Sequence, residues 1–295
     1  MNPVDVSTGS VERLPEWLRK PQTHFVSVHE LKQGFRARRL HTVCESARCP
    51  NLHECFHRGT ATFMILGNTC TRGCGFCSVP RGRPGALDEE EPANVARMAA
   101  AMGLRYVVVT SVNRDDLPDG GSGHFAAAVR EIRRALPEAR IEVLTPDFLG
   151  DTAAVARVLD AAPDVFNHNM ETVRRLYGRV RPQARYERSL AVLEFARGHR
   201  PGVLTKSGLM AGLGERPEEV HELLRDLRGA GVEVATIGQY LRPTRRNLSV
   251  AEYVSPAQFD GYRRYGLAIG FKMVFSGPFV RSSYMAEAVR EQATL

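Results

Sequence analysis

The chain has 295 residues, 43% hydrophobic and 25% charged, a globular composition that excludes collagen-like, coiled-coil and wholly disordered chains. Its net charge of +7 is nearly all arginine, with lysine only at Lys20, Lys32, Lys206 and Lys272; such dispersed charge argues against nucleic-acid binding and leaves an acidic protein, an anionic small molecule or a plain solvated surface. No apolar run of about 18 residues occurs and MNPVDVSTGSVERLPEWLRK has no apolar stretch, so the sequence predicts no membrane span, no secretory signal and a cytoplasmic protein.

In chain order, apolar or β-branched runs at 61–66, 106–112, 141–145, 165–170, 203–210 and 233–241 read as strands. Amphipathic helical stretches lie between most of them. Pro92 serves as the first helical residue of a helix that stops at Gly103. HFAAAVREIRRAL (124–136) sets Phe125, Val129 and Ile132 on one face, with arginines opposite. Asp151 N-caps TAAVARVLDAA, and Pro217 starts EEVHELLRDLRGAG. Ser255-Pro256 opens a last helix that ends near Gly270, before KMVFSGPFV. The alternation implies an α/β protein with a parallel sheet and right-handed crossovers. Periodicity does not separate a barrel from a doubly wound sheet. There is no Gly/Ser linker and no internal repeat, so the chain reads as one catalytic unit.

Cys44, Cys49, Cys55, Cys70, Cys74 and Cys77 all fall within 34 residues, with no cysteine elsewhere. Disulfides suit small secreted domains, and zinc sites usually close two C-x2-C knuckles. Here the spacings are C-x4-C-x5-C and C-x3-C-x2-C, two triplets. Three thiolates leave the fourth metal of a cubane without a cysteine, which keeps one site open for a ligand. The second triplet follows the strand Ala61–Leu66, where Gly67 and Asn68 end the run and Gly73 and Gly75 let the backbone wrap closely. Phe76 reads equally as a shield for a cluster or as a core aromatic.

C-x3-C-x2-C on the loop after a first barrel strand resembles the radical S-adenosylmethionine superfamily. With CESARCPNLHEC (44–55), GTATFMILGNTCTRGCGFCSV and RSSYMA (281–286), the chain resembles the lipoyl synthase family within it. TSVNRDDLPDGG, FNHNMETV, KSGLMAGLGE and GQYLRPT carry the likeness through nearly the whole chain. The resemblance implies two 4Fe-4S clusters and S-adenosyl-L-methionine (SAM). One cluster, on Cys70, Cys74 and Cys77, would hold SAM at its open iron; an auxiliary cluster would sit on Cys44, Cys49, Cys55 and Ser283. It implies a partial (β/α)6 barrel over 58–270, an N-terminal extension over 1–57 and a tail over 271–295 that folds back to deliver Ser283. The reaction implied is insertion of two sulfurs, at C6 and C8 of an octanoyl group on a lysine of a lipoyl carrier protein, with the auxiliary cluster as sulfur donor. Implied partners are octanoylated E2 domains of 2-oxoacid dehydrogenases, the glycine cleavage H protein, reduced ferredoxin or flavodoxin, and an iron–sulfur carrier that rebuilds the spent cluster. Asn68 stands where an acidic residue is expected and Met285 where a polar one is frequent; neither touches the proposed cysteine ligands.

Weaker signals remain open. Asn169 and Glu171 could meet the ribose or amine of SAM, or cap the next helix. Asp115 and Asp116 are explained at least as well by turn chemistry. Gly208, Gly212 and Gly214 are not in the Rossmann order and suit a loop passing close to a cofactor. Arg281 receives no role, and the nine histidines show no catalytic context. A biotin-synthase-like enzyme would lack the first triplet, and an RNA methylthiotransferase would carry an added RNA-binding module. A simple iron–sulfur electron carrier would leave the open site and most of the scaffold without use.

Overall fold

The computed structural model describes residues 14–19, 26–46, 49, 51 and 62–283, with the backbone alone over 26–31. Cys55 and Met285 lie outside the described residues.

One sheet runs in sequential order through β1 (His41–Thr42), β2 (Thr62–Ile65), β3 (Tyr106–Ser111), β4 (Arg140–Leu144), β5 (Val165–Asn167), β6 (Leu204–Ala211), β7 (Val234–Gln239) and β8 (Met273–Gly277). β1 pairs antiparallel with β2, and every later pair is parallel. Among the described residues two α-helices precede β2, α1 (Val26–Ala37) and α2 (Val43–Ser46). The crossovers carry α3 (Glu91–Ala101), α4 (Ser122–Ala135), α5 (Thr152–Asp160), α6 (Tyr177–Val180), α7 (Tyr186–His199), α8 (Pro217–Gly229) and α9 (Pro256–Ala268). Among the described residues β8 makes no ladder with β1 or β2, so the barrel is open at that seam. The six expected strand–helix units are present from β2 to α9, and β8, cut from the start of the expected tail, adds one more parallel strand.

The strands are buried on both faces, as parallel sheets covered by helices require. α4 turns Phe125, Val129 and Ile132 fully inward, as its periodicity predicts. Asp151 accepts from the Ala153 N–H at 2.8 Å and Ser255 from that of Gln258 at 3.2 Å, so both expected caps form. α3 begins one residue early, at Glu91, with Pro92 in its first turn. Glu91 also accepts from the Leu66 N–H at 2.7 Å and pairs with His124 at 2.8 Å, which fixes the turn leaving β2. Between the strands lies a buried ion pair: Lys206 Nζ is 3.0 Å from both carboxylate oxygens of Glu142, which also accept from Asn167 and Tyr106.

β5 is shorter than its apolar run suggests. It ends at Asn167, and Glu171 adopts a left-handed backbone with φ 67°. The chain from His168 to Glu171 still runs beside β6, with the Glu171 N–H donating to the Gly208 carbonyl at 2.9 Å, and so extends past the C-terminal end of β5, where barrel proteins place their chemistry.

Candidate functional site

β2 stops at a left-handed pair, Leu66 and Gly67, and the loop beyond it carries Cys70, Cys74 and Cys77. This loop closes on itself: the Cys70 N–H donates to Pro80 at 2.8 Å and the Gly82 N–H to Cys70 at 3.0 Å. Gly75 is stitched on both sides, donating to Val180 and accepting from the Leu248 N–H, each at 2.9 Å. A Cβ there would press on the Leu248 side chain, so the position needs glycine. Asn247 Nδ2 holds the Cys77 carbonyl at 2.8 Å. Phe76 packs against the apolar core that includes Val180 and Tyr240.

Arg72, between the first two cysteines of this loop, is buried. It forms a double hydrogen bond to Asp115, both contacts at 2.7 Å, and a third to Asp147 at 2.7 Å. Asp147 is also held by Arg188 at 2.7 Å. Burial opposes the Asp147 charge, but the bonds and charge of Arg72, with His168 and Arg188, keep its carboxyl well below the usual range. Asp115 therefore clamps the cysteine loop in addition to shaping its turn, while Asp116 pairs with Arg114 at 2.8 Å.

Cys70 lies close enough to disfavour ionisation of Cys74, and both disfavour that of Cys77. Burial pushes Cys77 up to about 12, against a hydrogen bond from the Val79 backbone, with Cys74, Cys70 and Glu171 adding to the rise. Burial also raises Cys74, opposed by the Arg181 guanidinium. Cys70 Sγ accepts from the backbone N–H of Arg72 at 3.4 Å and of Asn113 at 3.3 Å. Among the described residues no three metal-binding side chains converge on a single ion.

The first cysteine group lies beside β2. Cys44 is buried on α2, and the Cys49 N–H donates to the Cys44 carbonyl at 3.0 Å. Burial first and Cys49 second push the Cys44 thiol up to about 11, against hydrogen bonds from the backbone and hydroxyl of Thr62. The tail reaches the same place. Asn51 Nδ2 donates to the Phe279 carbonyl at 2.7 Å, and Val280 lies against Gly238 of β7 so closely that a Cβ there would overlap its carbonyl. Arg281 is half-buried, and desolvation of its guanidinium lowers its pKa, opposed by the nearby Cys49. Thr62 Oγ1 donates to Ser283 Oγ at 2.8 Å. Cys44, Cys49 and Ser283 are thus brought together; Cys55 lies outside the described residues.

Hydrogen bonds join the surroundings of the two groups. Ser78, next to Cys77, donates to the Ser46 carbonyl of α2. Asn169 Nδ2 donates to Glu171 at 3.0 Å and to Ser282 at 3.3 Å, linking the end of β5 to the tail. Burial raises the Glu171 carboxyl, opposed by Arg181 and by the bond from Asn169. The short helical turn after Glu171 has no side-chain cap, so the capping role considered for these two residues is not taken up. Ser111, Asn113, Thr145 and Asn169, at or just past the ends of β3, β4 and β5, each carry a buried oxygen with no hydrogen-bond partner. Such atoms are costly unless a ligand or water satisfies them, which suits a polar cosubstrate bound there.

The profile of the Radical SAM superfamily matches residues 64–227. A lipoyl synthase of Rubrobacter xylanophilus is 57% identical over 95% of this chain and 87% of its own. One of Caldanaerobacter subterraneus is 54% identical over 93% of this chain and 96% of its own. The chain belongs to the lipoyl synthase family. It is therefore a radical SAM enzyme, working with SAM and a 4Fe-4S cluster. The fold agrees: Streptococcus suis SuiB, in a crystal structure with SAM, superposes with a TM-score of 0.58 at 11% identity, over 77% of this chain and 53% of that one.

Three features of this lipoyl synthase site escaped the sequence reading: the Arg72 clamp, the Arg181 guanidinium beside Glu171, and Thr62 between Cys44 and Ser283. Arg72 alone left a trace, as a cation inside a cysteine motif.

Proposed function

We propose that this enzyme inserts two sulfur atoms, at C6 and C8, into an octanoyl group amide-linked to a lysine of a lipoyl carrier protein. The observation that carries this reading is the meeting of Ser283 with Thr62 beside Cys44, in a tail that Asn169 also holds through Ser282. Cys70, Cys74 and Cys77 would hold the initiating cluster; Cys44, Cys49, Cys55 and Ser283 would hold the auxiliary one. When bound, the reduced initiating cluster and SAM supply a 5′-deoxyadenosyl radical that removes hydrogen from carbon, and the auxiliary cluster supplies the sulfur.

The chain's own residues do the rest. The loop clamped by Arg72 fixes one cysteine group against the ends of β3 and β4. Asn169 and Glu171, with the unpartnered oxygens of Ser111, Asn113 and Thr145, offer polar contacts for the ribose and amine of SAM. Ser283 offers the auxiliary cluster an oxygen, a harder and more readily protonated ligand than a thiolate, suited to letting one iron go. In this reading 1–57 is the extension bearing the first cysteines, 58–270 the barrel and 271–295 the closing tail. The carriers are E2 domains of 2-oxoacid dehydrogenases and the glycine cleavage H protein, whose acidic surfaces suit a chain of net charge +7. Reduced ferredoxin or flavodoxin supplies electrons, an iron–sulfur carrier restores the spent cluster, and the site of action is the cytoplasm. No helix among the described residues is long and apolar enough to cross a membrane.

The test is an anaerobic turnover of the reconstituted protein with SAM, a strong reductant and an octanoyl-lysine carrier peptide, followed by mass spectrometry. Two sulfurs gained with two deoxyadenosines formed support the reading. Deoxyadenosine without sulfur on the peptide rejects the octanoyl substrate, and no deoxyadenosine at full iron loading rejects the radical chemistry.

A further inference from the structure

We propose that Thr62 is the positioning residue that seats Ser283 beside Cys44, its hydroxyl acting as the hydrogen-bond donor to the serine oxygen. The inference rests on the reading of Ser283 as a ligand of the auxiliary cluster and adds to it a residue that no cysteine or tail motif contains.

Thr62 is buried and opens β2, in parallel register with Val108 of β3. Its neighbour Phe63 pairs with Thr42 of β1, two residues before Cys44. That antiparallel pairing is what carries Cys44 to the start of β2. From there the Thr62 backbone and hydroxyl both reach the Cys44 sulfur, while Oγ1 lies 2.8 Å from Ser283 Oγ, 221 positions along the chain. A hydroxyl has one proton, so Thr62 donates to one of these acceptors at a time. In the described geometry it donates to Ser283, and this bond fixes where the serine oxygen stands. The neighbouring contacts set the tail's path only coarsely: Asn51 to the Phe279 carbonyl, Gly238 against Val280, and Asn169 to Ser282. Thr62 is the described residue that touches the serine oxygen itself.

The bland alternative is a buried hydroxyl that satisfies itself on the nearest acceptor, with the methyl group carrying the packing. Thr62→Val and Thr62→Ser separate the two, since valine keeps the shape without the donor and serine keeps the donor without the methyl. Each is reconstituted anaerobically alongside wild type and Ser283→Ala. Three quantities are read: amide hydrogen exchange over 279–283, the Mössbauer spectrum of the iron-57 protein, and sulfurs inserted per deoxyadenosine formed. With the loss of one buried hydrogen bond, Thr62→Val is expected to exchange about 10-fold faster over the tail and to insert about 10-fold less sulfur per deoxyadenosine. Its auxiliary iron spectrum should move toward that of Ser283→Ala, and Thr62→Ser should restore all three readouts. Wild-type exchange and yield in Thr62→Val overturn the proposal, as does a serine variant that rescues nothing. If Thr62→Val does not accumulate, Thr62→Ala against Thr62→Ser makes the same comparison. Wild-type yield in Ser283→Ala sinks the ligand reading instead, while tail exchange in Thr62→Val still reports whether the threonine seats the serine.

Discussion

Arg72 Nη2 donates to Asp147 Oδ1 at 2.7 Å, joining the cysteine loop to the end of β4 across 75 positions of sequence. Both side chains are almost wholly buried, and a guanidinium spanning two carboxylates keeps its charge there because each acceptor is itself fixed. Arg72→Ala leaves Asp147 with Arg188 and strips the loop of its clamp. Breaking a buried pair from one side costs about 3–5 kcal/mol, which urea denaturation would read as a lowered midpoint. Arg72→Lys should recover only part of it, since a point charge cannot span Asp115 and Asp147 together. An unchanged midpoint in Arg72→Ala would mean that other contacts hold the loop.

Gly238 makes the tail's approach possible. Its missing Cβ is where the Val280 carbonyl and the Arg281 guanidinium rest on β7. Gly238→Ala must push that backbone away, and Ser283 follows Val280 by only three residues. We expect hydrogen exchange over 279–283 to rise and sulfur insertion to fall by up to about 100-fold, the size of effect that a misplacement of about 1 Å can produce. Wild-type exchange and yield would show that β7 yields instead.

A radical SAM enzyme with a 4Fe-4S cluster was legible because metal ligands are constrained in type and spacing, and C-x3-C-x2-C after a strand leaves few readings. The strand–helix alternation was legible because each crossover must bury one stripe. α7 was missed for a physical reason: Val192 and Ala196 pack on one core cluster, Leu193 and Leu190 on the other, and Phe195 is partly covered as well, so no single stripe shows. The return of the tail could be expected only from resemblance, since nothing in RSS encodes a partner more than two hundred residues away. Arg72 and Asp147 look in isolation like a surface cation and a turn residue, and Thr62 like an ordinary β-branched strand position. The fold creates their roles by bringing them together.

His168 predicts an acid sensitivity. Nδ1 faces the Thr145 carbonyl at 2.8 Å and Nε2 the Ser189 hydroxyl at 3.0 Å, so the neutral ring is fully satisfied. Burial, then the charge of Arg181, lowers its pKa to about 4. Unfolded, the ring takes a proton at about pH 6.5. Between these values the unfolded chain binds more protons than the folded one, so stability falls as pH drops from about 6.5 toward 4, by a few kcal/mol at most. Urea midpoints measured from pH 7 to 4.5 should show this slope, and His168→Gln should flatten it. An equal slope in the variant would assign the acid response to other groups.

The two cysteine groups should separate in their effects. Cys70 accepts hydrogen bonds from Arg72 and Asn113, within the loop that faces Glu171, whereas Cys49 stands beside Arg281 near the tail. Cys70→Ala should abolish deoxyadenosine formation, because on the proposed assignment the initiating cluster would lose one of its three thiolates. Cys49→Ala should still form deoxyadenosine while inserting no sulfur. Iron content distinguishes these from misfolding: about eight irons per wild-type chain should fall to about four in each variant, the count per 4Fe-4S cluster. If Cys49→Ala inserted sulfur at the wild-type rate, the donor would lie elsewhere than beside Cys44, and the convergence of Thr62, Cys44 and Ser283 would need another purpose.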